Sequence, residues 1–261
     1  MSIQELTDTR EVTAYDSGQV TLSLEPLVTE RYLKVKLNGE EVVRLASSPH
    51  AGRELAVGYL ISEGILDPDG SLLSIDEPES DVVEIVMEAP PRGYTQSVRT
   101  INTCIGRGYG AVKPLQQQPP GKGLFTPEQL LAIISELDEK SYTFKKTGGV
   151  HSAGLGGPDG LIQRFEDIGR HNAVDKVFGY AFLNRIPLHD KCLVLSGRVA
   201  FEILQKAAHN RIPFILSRSA PTLLTVDRAR ELGITVVGFA RGQRFNVYSH
   251  PERVCFNRTE G

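Results

Sequence analysis

Cysteine is scarce in this chain. Its 261 residues hold three, Cys104, Cys192 and Cys255. An odd number at such wide spacing does not suggest a disulfide framework and fits reduced thiols in a cytosol. An excess of positive charge is missing too: the formal net charge of −3 argues against broad electrostatic binding to nucleic acid. No apolar run approaches the length of a membrane span. The start, MSIQELTDTREV, lacks the basic-then-apolar pattern of a secretory leader, and no internal repeat is found. These absences point to a cytoplasmic protein bound neither to membrane nor to nucleic acid. At 40% hydrophobic and 23% charged, the chain has apolar content for one large domain or two modest ones.

The first hundred residues read as mainly β. Leu33, Val35 and Leu37 alternate with polar residues, and Asn38-Gly39 gives a tight-turn signal before Val43 and Leu45. Val83, Ile85 and Met87 repeat that period. One helix is expected between them, with Ser48 as its cap and Pro49 in its first turn, carrying Leu55, Tyr59 and Leu60 and ending near Gly64. Residues 89 to 123 are rich in Pro and Gly, carry Cys104 and show no period, which reads as a long mobile loop. The pattern then changes. Thr126-Pro-Glu-Gln129 forms a capping box ahead of the stripe Leu130, Ile133, Ile134 and Leu137. From residue 191 the rhythm is strand, helix, strand, helix, strand. The strands are Cys192 to Leu195, Phe214 to Leu216 and Ile234 to Phe239, and the helices about 200 to 210 and 221 to 232. That alternation implies parallel strands crossed by helices. The expected division is a β-rich N-terminal region over residues 1–123 and an α/β domain over 124–261.

Parallel strands bring their C-terminal loops to one common edge, where α/β proteins bind ligands. Here the segments are Ser196-Gly197-Arg198, Ser217 to Thr222, and Ala240 to Arg244. Two lead into helix N-termini, which favour anions. Arg198, Arg218, Arg241 and Arg244 add forked donors suited to phosphate. The alternative is that Arg-containing turns simply finish strands and stay solvated. Glu166 to Lys176 is dense in polar chemistry: Glu166, Asp167 and His171 could do acid–base work or hold a metal, or could be an acidic cap ahead of an amphipathic helix. His151, after a Gly pair, could be a ligand, although a lone histidine is more often a hydrogen-bonded structural residue. Cys104 is the sharpest candidate. It sits among Gly106, Gly108 and Gly110, with Arg107 to raise its thiolate fraction. An accessible thiolate can take sulfane sulfur from a donor and carry it as a persulfide. Cys192 opens an apolar strand and reads as core, while Cys255 has no supporting pattern.

The stretches TGGVHSAG, EDIGRHNAVDKVFGY, LVLSGRVAFEILQKAA, SRSAPTLLTVDRARELG and GFARGQRFNVYSHPERV together resemble the FdhD family of formate dehydrogenase accessory proteins. They cover nearly all of residues 147 to 253, and LAVGYLISEGIL in the N-terminal region is also similar. The resemblance implies a cytidine-deaminase-like three-layer α/β domain joined to a smaller β-rich domain, usually as a homodimer. It implies a sulfurtransferase that takes persulfide sulfur from a cysteine desulfurase. The sulfur passes to the molybdenum bis(molybdopterin guanine dinucleotide) cofactor, its substrate, for the formate dehydrogenase apoenzyme. A guanine nucleotide such as GDP would occupy the same site. Cys104 aligns with the persulfide cysteine, and Phe239, Ala240, Arg241, Gly242, Gln243 and Arg244 align with the family's cofactor-binding segment. Ser196, Gly197, Arg198 and Ser219 would complete that edge. Family members usually carry Cys-x-x-Cys in the loop, whereas Arg107 stands here in the second position. That departure keeps open a cofactor-binding chaperone that handles no sulfur. A zinc deaminase is disfavoured, because it needs three His/Cys ligands and a His-x-Glu element, and Ser152 and Ala153 follow His151. No metal site is expected.

Overall fold

A computed structural model describes residues 6–88, 99–101 (as backbone) and 123–256. Its architecture is α/β. Strands β1 (Thr7–Asp16) and β2 (Gln19–Val28) pair only with each other, as an antiparallel ribbon. A five-stranded sheet comes next, built from β3 (Arg31–Leu37), β4 (Glu40–Ser47), β5 (Ser74–Glu79), β6 (Val82–Val86) and β7 (Arg99–Ile101) in the order β5-β6-β3-β4-β7. The Asn38-Gly39 signal closes the β3–β4 hairpin, with both residues at positive φ, 49° and 85°, as a two-residue turn requires. Strand β7 falls inside the stretch read as a loop. Three residues are too short to show a period, and the parallel partner β4 holds it in place. Cys104 and the rest of that stretch, apart from Gly123, lie outside the described residues.

Helix α1 (Gly52–Ser62) covers this sheet, burying Leu55, Tyr59 and Leu60. It starts later than the sequence indicates. Ala51, in the left-handed region at φ 53°, precedes its first residue and gives no side-chain cap. Ser48 is instead drawn to another partner, its hydroxyl accepting the Ile168 N–H at 3.2 Å.

The second sheet, ordered β13-β12-β11-β10-β8-β9, is built from β8 (His151–Gly157), β9 (Gly160–Asp167), β10 (Cys192–Leu195), β11 (Phe214–Ser217), β12 (Thr235–Arg241) and β13 (Arg244–Ser249). Strands β10, β11 and β12 run parallel, as their alternation with helices required. Helix α2 (Pro127–Glu139) packs on one face with Cys192, Val194, Phe214, Leu216 and Val237. Its capping box forms as read: Gln129 N–H donates to Thr126 Oγ1 at 3.3 Å, and Thr126 N–H donates to Gln129 Oε1 at 2.8 Å. The short helix α3 (Tyr142–Thr147) comes directly after it. Helices α4 (Arg170–Leu183), α5 (Phe201–His209) and α6 (Leu223–Leu232) cover the opposite face with Leu193, Leu195, Ile215 and Val236. Alternate residues of each buried strand thus enter different cores, which is why β10 and β11 read as unbroken apolar runs.

Helices α1 and α4 join the two sheets. A Cβ at Gly58 would collide with the Asp175 carbonyl, and one at Gly179 with the Glu54 carbonyl. Both positions need glycine so that the backbones can touch. Among the described residues no helix is long and apolar enough to cross a membrane.

Candidate functional site

The three strand-end segments meet at one edge of the second sheet, tied together by their own hydrogen bonds. Ser217 Oγ, fully buried, donates to the Gly197 carbonyl at 2.7 Å and accepts the Ser219 N–H at 3.0 Å. The Ser219 carbonyl accepts the Phe239 N–H at 3.1 Å. Gly238 permits that approach, since a Cβ there would stand 2.9 Å from the Ser219 oxygen. Ser196 joins through its hydroxyl, which accepts the Ser152 N–H at 3.1 Å. The first two segments enter α5 and α6, and Thr222 caps α6 by accepting the Thr225 N–H at 3.3 Å. The third is a hairpin: Arg241 pairs with Arg244 across Gly242-Gln243, and Gly242 sits at φ 59°.

The arginines differ in their surroundings. Arg218 is held 3.1 Å from Asp138. Arg198, Arg241 and Arg244 are exposed and make no ion pair among the described residues. The Arg241 guanidinium lies over the Phe239 ring, 5.9 Å from its centroid. Phe239 itself is half-buried at φ 53°, a conformation that bulky residues adopt only where surrounding structure holds them. Ala240 turns its side chain into the core under α2.

Most of the polar run from Glu166 to Lys176 is structural. Glu166 accepts the Thr143 and Phe144 N–H groups at 3.2 and 2.9 Å, capping α3, and pairs with Arg164 at 3.1 Å. Asp167 accepts from Lys176 Nζ at 2.6 Å, Ser48 N–H at 3.1 Å, Gly169 N–H at 2.9 Å and Asn172 Nδ2 at 3.0 Å. Asn172 also donates to the Ala46 carbonyl at 2.7 Å, so this network bolts the end of β4 to the second sheet. Asp175 accepts from Lys206 at 2.7 Å and from Ser62 Oγ at 2.6 Å, making a second bolt. Burial raises the Asp175 pKa, opposed by Lys206. The acid–base reading therefore fails for these carboxylates, whose lone pairs are committed.

The histidines are left over. His151 opens β8 beside Gly197, its Nδ1 3.7 Å from where a Cβ would stand. Burial lowers its pKa, helped by Arg170. His171 is 6% exposed, and neither ring nitrogen has a hydrogen-bond partner among the described residues. Burial, then Lys206, Arg170 and His151, hold its pKa down to about 3. Arg170, which acts on both histidines, carries a signal that the motif pattern does not single out. A cation in the first turn of a helix opposes the dipole, so its presence there flags another role. The other thiols are plain: burial pushes Cys192 up to about 12, and Cys255 donates to the Gly123 carbonyl at 3.0 Å.

Against known proteins, residues 28–255 match the model of the FdhD/NarQ family. The chain is 38% identical to the sulfur carrier protein FdhD of Bacillus licheniformis, over 97% of this chain and 99% of that one. It is 37% identical to the Bacillus subtilis protein of the same name, over 96% and 98%. A solved chain from Desulfotalea psychrophila, assigned to the formate dehydrogenase accessory proteins, superposes with a TM-score of 0.78. It shares 24% identity over 95% of this chain and 99% of that one, a likeness of fold.

Proposed function

The chain belongs to the FdhD/NarQ family, and from that premise we propose that it is a sulfur carrier in the maturation of formate dehydrogenase. The relatives' name supports the sulfur-carrier role. The observation that carries the cofactor half of the reading is the stitched edge, where Arg198, Arg241 and Arg244, without ion pairs among the described residues, accompany Phe239. Exposed guanidinium forks, a glycine at φ 59° and two helix N-termini suit a pyrophosphate, and the Phe239 ring offers a flat surface to a purine. The substrate is then a molybdenum bis(molybdopterin guanine dinucleotide), bound by its guanine nucleotide, with GDP as a simpler ligand. Arg241 and Arg244 meet phosphate, Gly242 admits the backbone, and Ser196, Gly197, Arg198 and Ser219 line the edge. The large sheet with helices on both faces is read as the cytidine-deaminase arrangement.

Cys104 is the carrier. Its thiolate attacks the outer sulfur of a desulfurase persulfide; the new S–S bond forms as the donor's S–S bond breaks, and the donor cysteine leaves as thiolate. The step needs one nucleophile, so Arg107 in place of a second cysteine does not forbid it. The working protein is a cytoplasmic homodimer that meets a desulfurase and then the formate dehydrogenase apoenzyme. Arg107 also favours a second reading, a cofactor chaperone without sulfur transfer. Formate dehydrogenase activity in cells lacking the chain, complemented with Cys104→Ala, separates them: a sulfur carrier leaves the client inactive, whereas a chaperone restores it.

A further inference from the structure

Two histidines and an arginine gather at the β8 side of the strand-end edge. His151 opens β8 and pairs with Asp167, the last residue of β9, so α4 begins beside it. The Ser196 N–H donates to the Ser152 carbonyl at 3.0 Å, which sets Gly197 and the approach to α5 against the same histidine. Helices α4 and α5 therefore open at one place, and neither N-cap, Gly169 or Ala200, gives a side-chain cap to the first N–H groups. Asp175 on α4 accepts from Lys206 on α5. His171 lies four residues nearer the edge on that same helix face, 6% exposed, with neither ring nitrogen hydrogen-bonded among the described residues. Arg170 beside it is half-buried and makes no ion pair among those residues. Asp167, the acid that acts on His151, is committed to Lys176, Ser48, Gly169 and Asn172.

A cation at an uncapped helix N-terminus calls for an anion. Phosphate suits the place poorly, since an enclosed oxyanion needs donors on each of its oxygens, and the exposed Arg198, Arg241 and Arg244 suit it better. Both histidines are kept neutral by burial, so each ring has one N–H to give. A terminal sulfur anion carries its charge on one large polarisable atom, loses less on leaving water, and is met by few donors. From Phe239 on β12 to His151 on β8 the sheet spans three strand spacings, roughly 14 Å. The two places are therefore distinct.

We propose that His151, His171 and Arg170, with the N-terminus of α4, hold a sulfur anion of the kind a persulfide or a dithiolene presents. Arg170 supplies the charge and the two rings orient the sulfur. The identity of the anion rests on the sulfur-carrier reading.

Histidine-labelled chain, with six histidines in all, is titrated with sodium hydrosulfide under argon while the ring signals are followed by NMR. The signals of His151 and His171 should shift saturably, and equal ionic strength of phosphate should leave them in place. Arg170→Gln should raise the apparent dissociation constant by about tenfold. His171→Phe should abolish the saturable shift at His151, and the half-buried Arg170 keeps the test decisive if that variant does not fold. An unsaturable response, an equal shift with phosphate, or unchanged affinity in Arg170→Gln overturns the proposal. Persulfide loaded on Cys104 that moves the same two signals identifies the carrier's sulfur. Movement only on adding a metal-free pterin dithiolene identifies the cofactor's, and movement with neither overturns the proposal. A desulfurase that loads no sulfur on the chain would defeat the carrier reading and leave the hydrosulfide titration standing.

Discussion

Lys176 Nζ lies 2.6 Å from Asp167 Oδ2, and neither side chain reaches solvent. The pair joins α4 to the end of β9, while Asp167 also holds Ser48 beyond β4. A buried carboxylate stripped of its cation is far costlier than the intact pair is beneficial. Lys176→Met should therefore destabilise the fold by about 3–5 kcal/mol, read from urea unfolding. A loss below about 1 kcal/mol would mean that the network does not join the sheets.

The α1–α4 crossing gives a second expectation. Gly58→Ala places a methyl group into the Asp175 carbonyl, and Gly179→Ala one into that of Glu54. Backbone on both sides cannot yield as a side chain would. Each change should cost about 3 kcal/mol or more. Wild-type melting temperatures for both variants would show that the helices separate easily.

Acid should weaken the fold through its enclosed histidines. His50 and His171 are both held down to about 3, from an ordinary 6.5. The unfolded chain takes up protons below about 6.5 while the folded one refuses them until about 3. Unfolding therefore binds protons in that window, and stability falls as pH drops through it, by up to about 1.4 kcal/mol per pH unit for each histidine. Between about pH 7.5 and about pH 5, His171→Leu should remove about 2 kcal/mol of the wild-type loss. An identical loss in wild type and variant would show His171 protonating freely.

Much of this was legible in the sequence, and the failures share a cause. The Asn38-Gly39 turn, the Thr126 capping box and the three parallel strands depend on neighbours within a few residues, and they appear where local signals put them. Ser48 misled because its partner, the Ile168 N–H, is 120 residues away. Glu166 and Asp167 looked like chemistry because a carboxylate that caps a helix or ties two sheets together has the same local pattern as one that moves protons. The ribbon's Val20, Leu22 and Leu24 alternate plainly, yet alternation does not reveal that both faces stand in solvent. The strand-end edge was legible because parallel strands gather their C-terminal ends in one place whatever fills the rest of the sheet.

At that edge, Arg241→Ala with Arg244→Ala should weaken GDP binding by on the order of tenfold per arginine, since each charge-assisted hydrogen bond contributes about 1.5–3 kcal/mol. Both side chains are exposed, so stability should hold. Calorimetry giving wild-type affinity would move the nucleotide elsewhere.

The central claim concerns Cys104. Intact mass spectrometry after incubation with an active cysteine desulfurase and cysteine, comparing wild type with Cys104→Ala, addresses it directly. Sulfur transfer through one cysteine predicts a gain of one sulfur on the wild type and none on the variant. No sulfur on the wild type, or an equal gain on the variant, would contradict it.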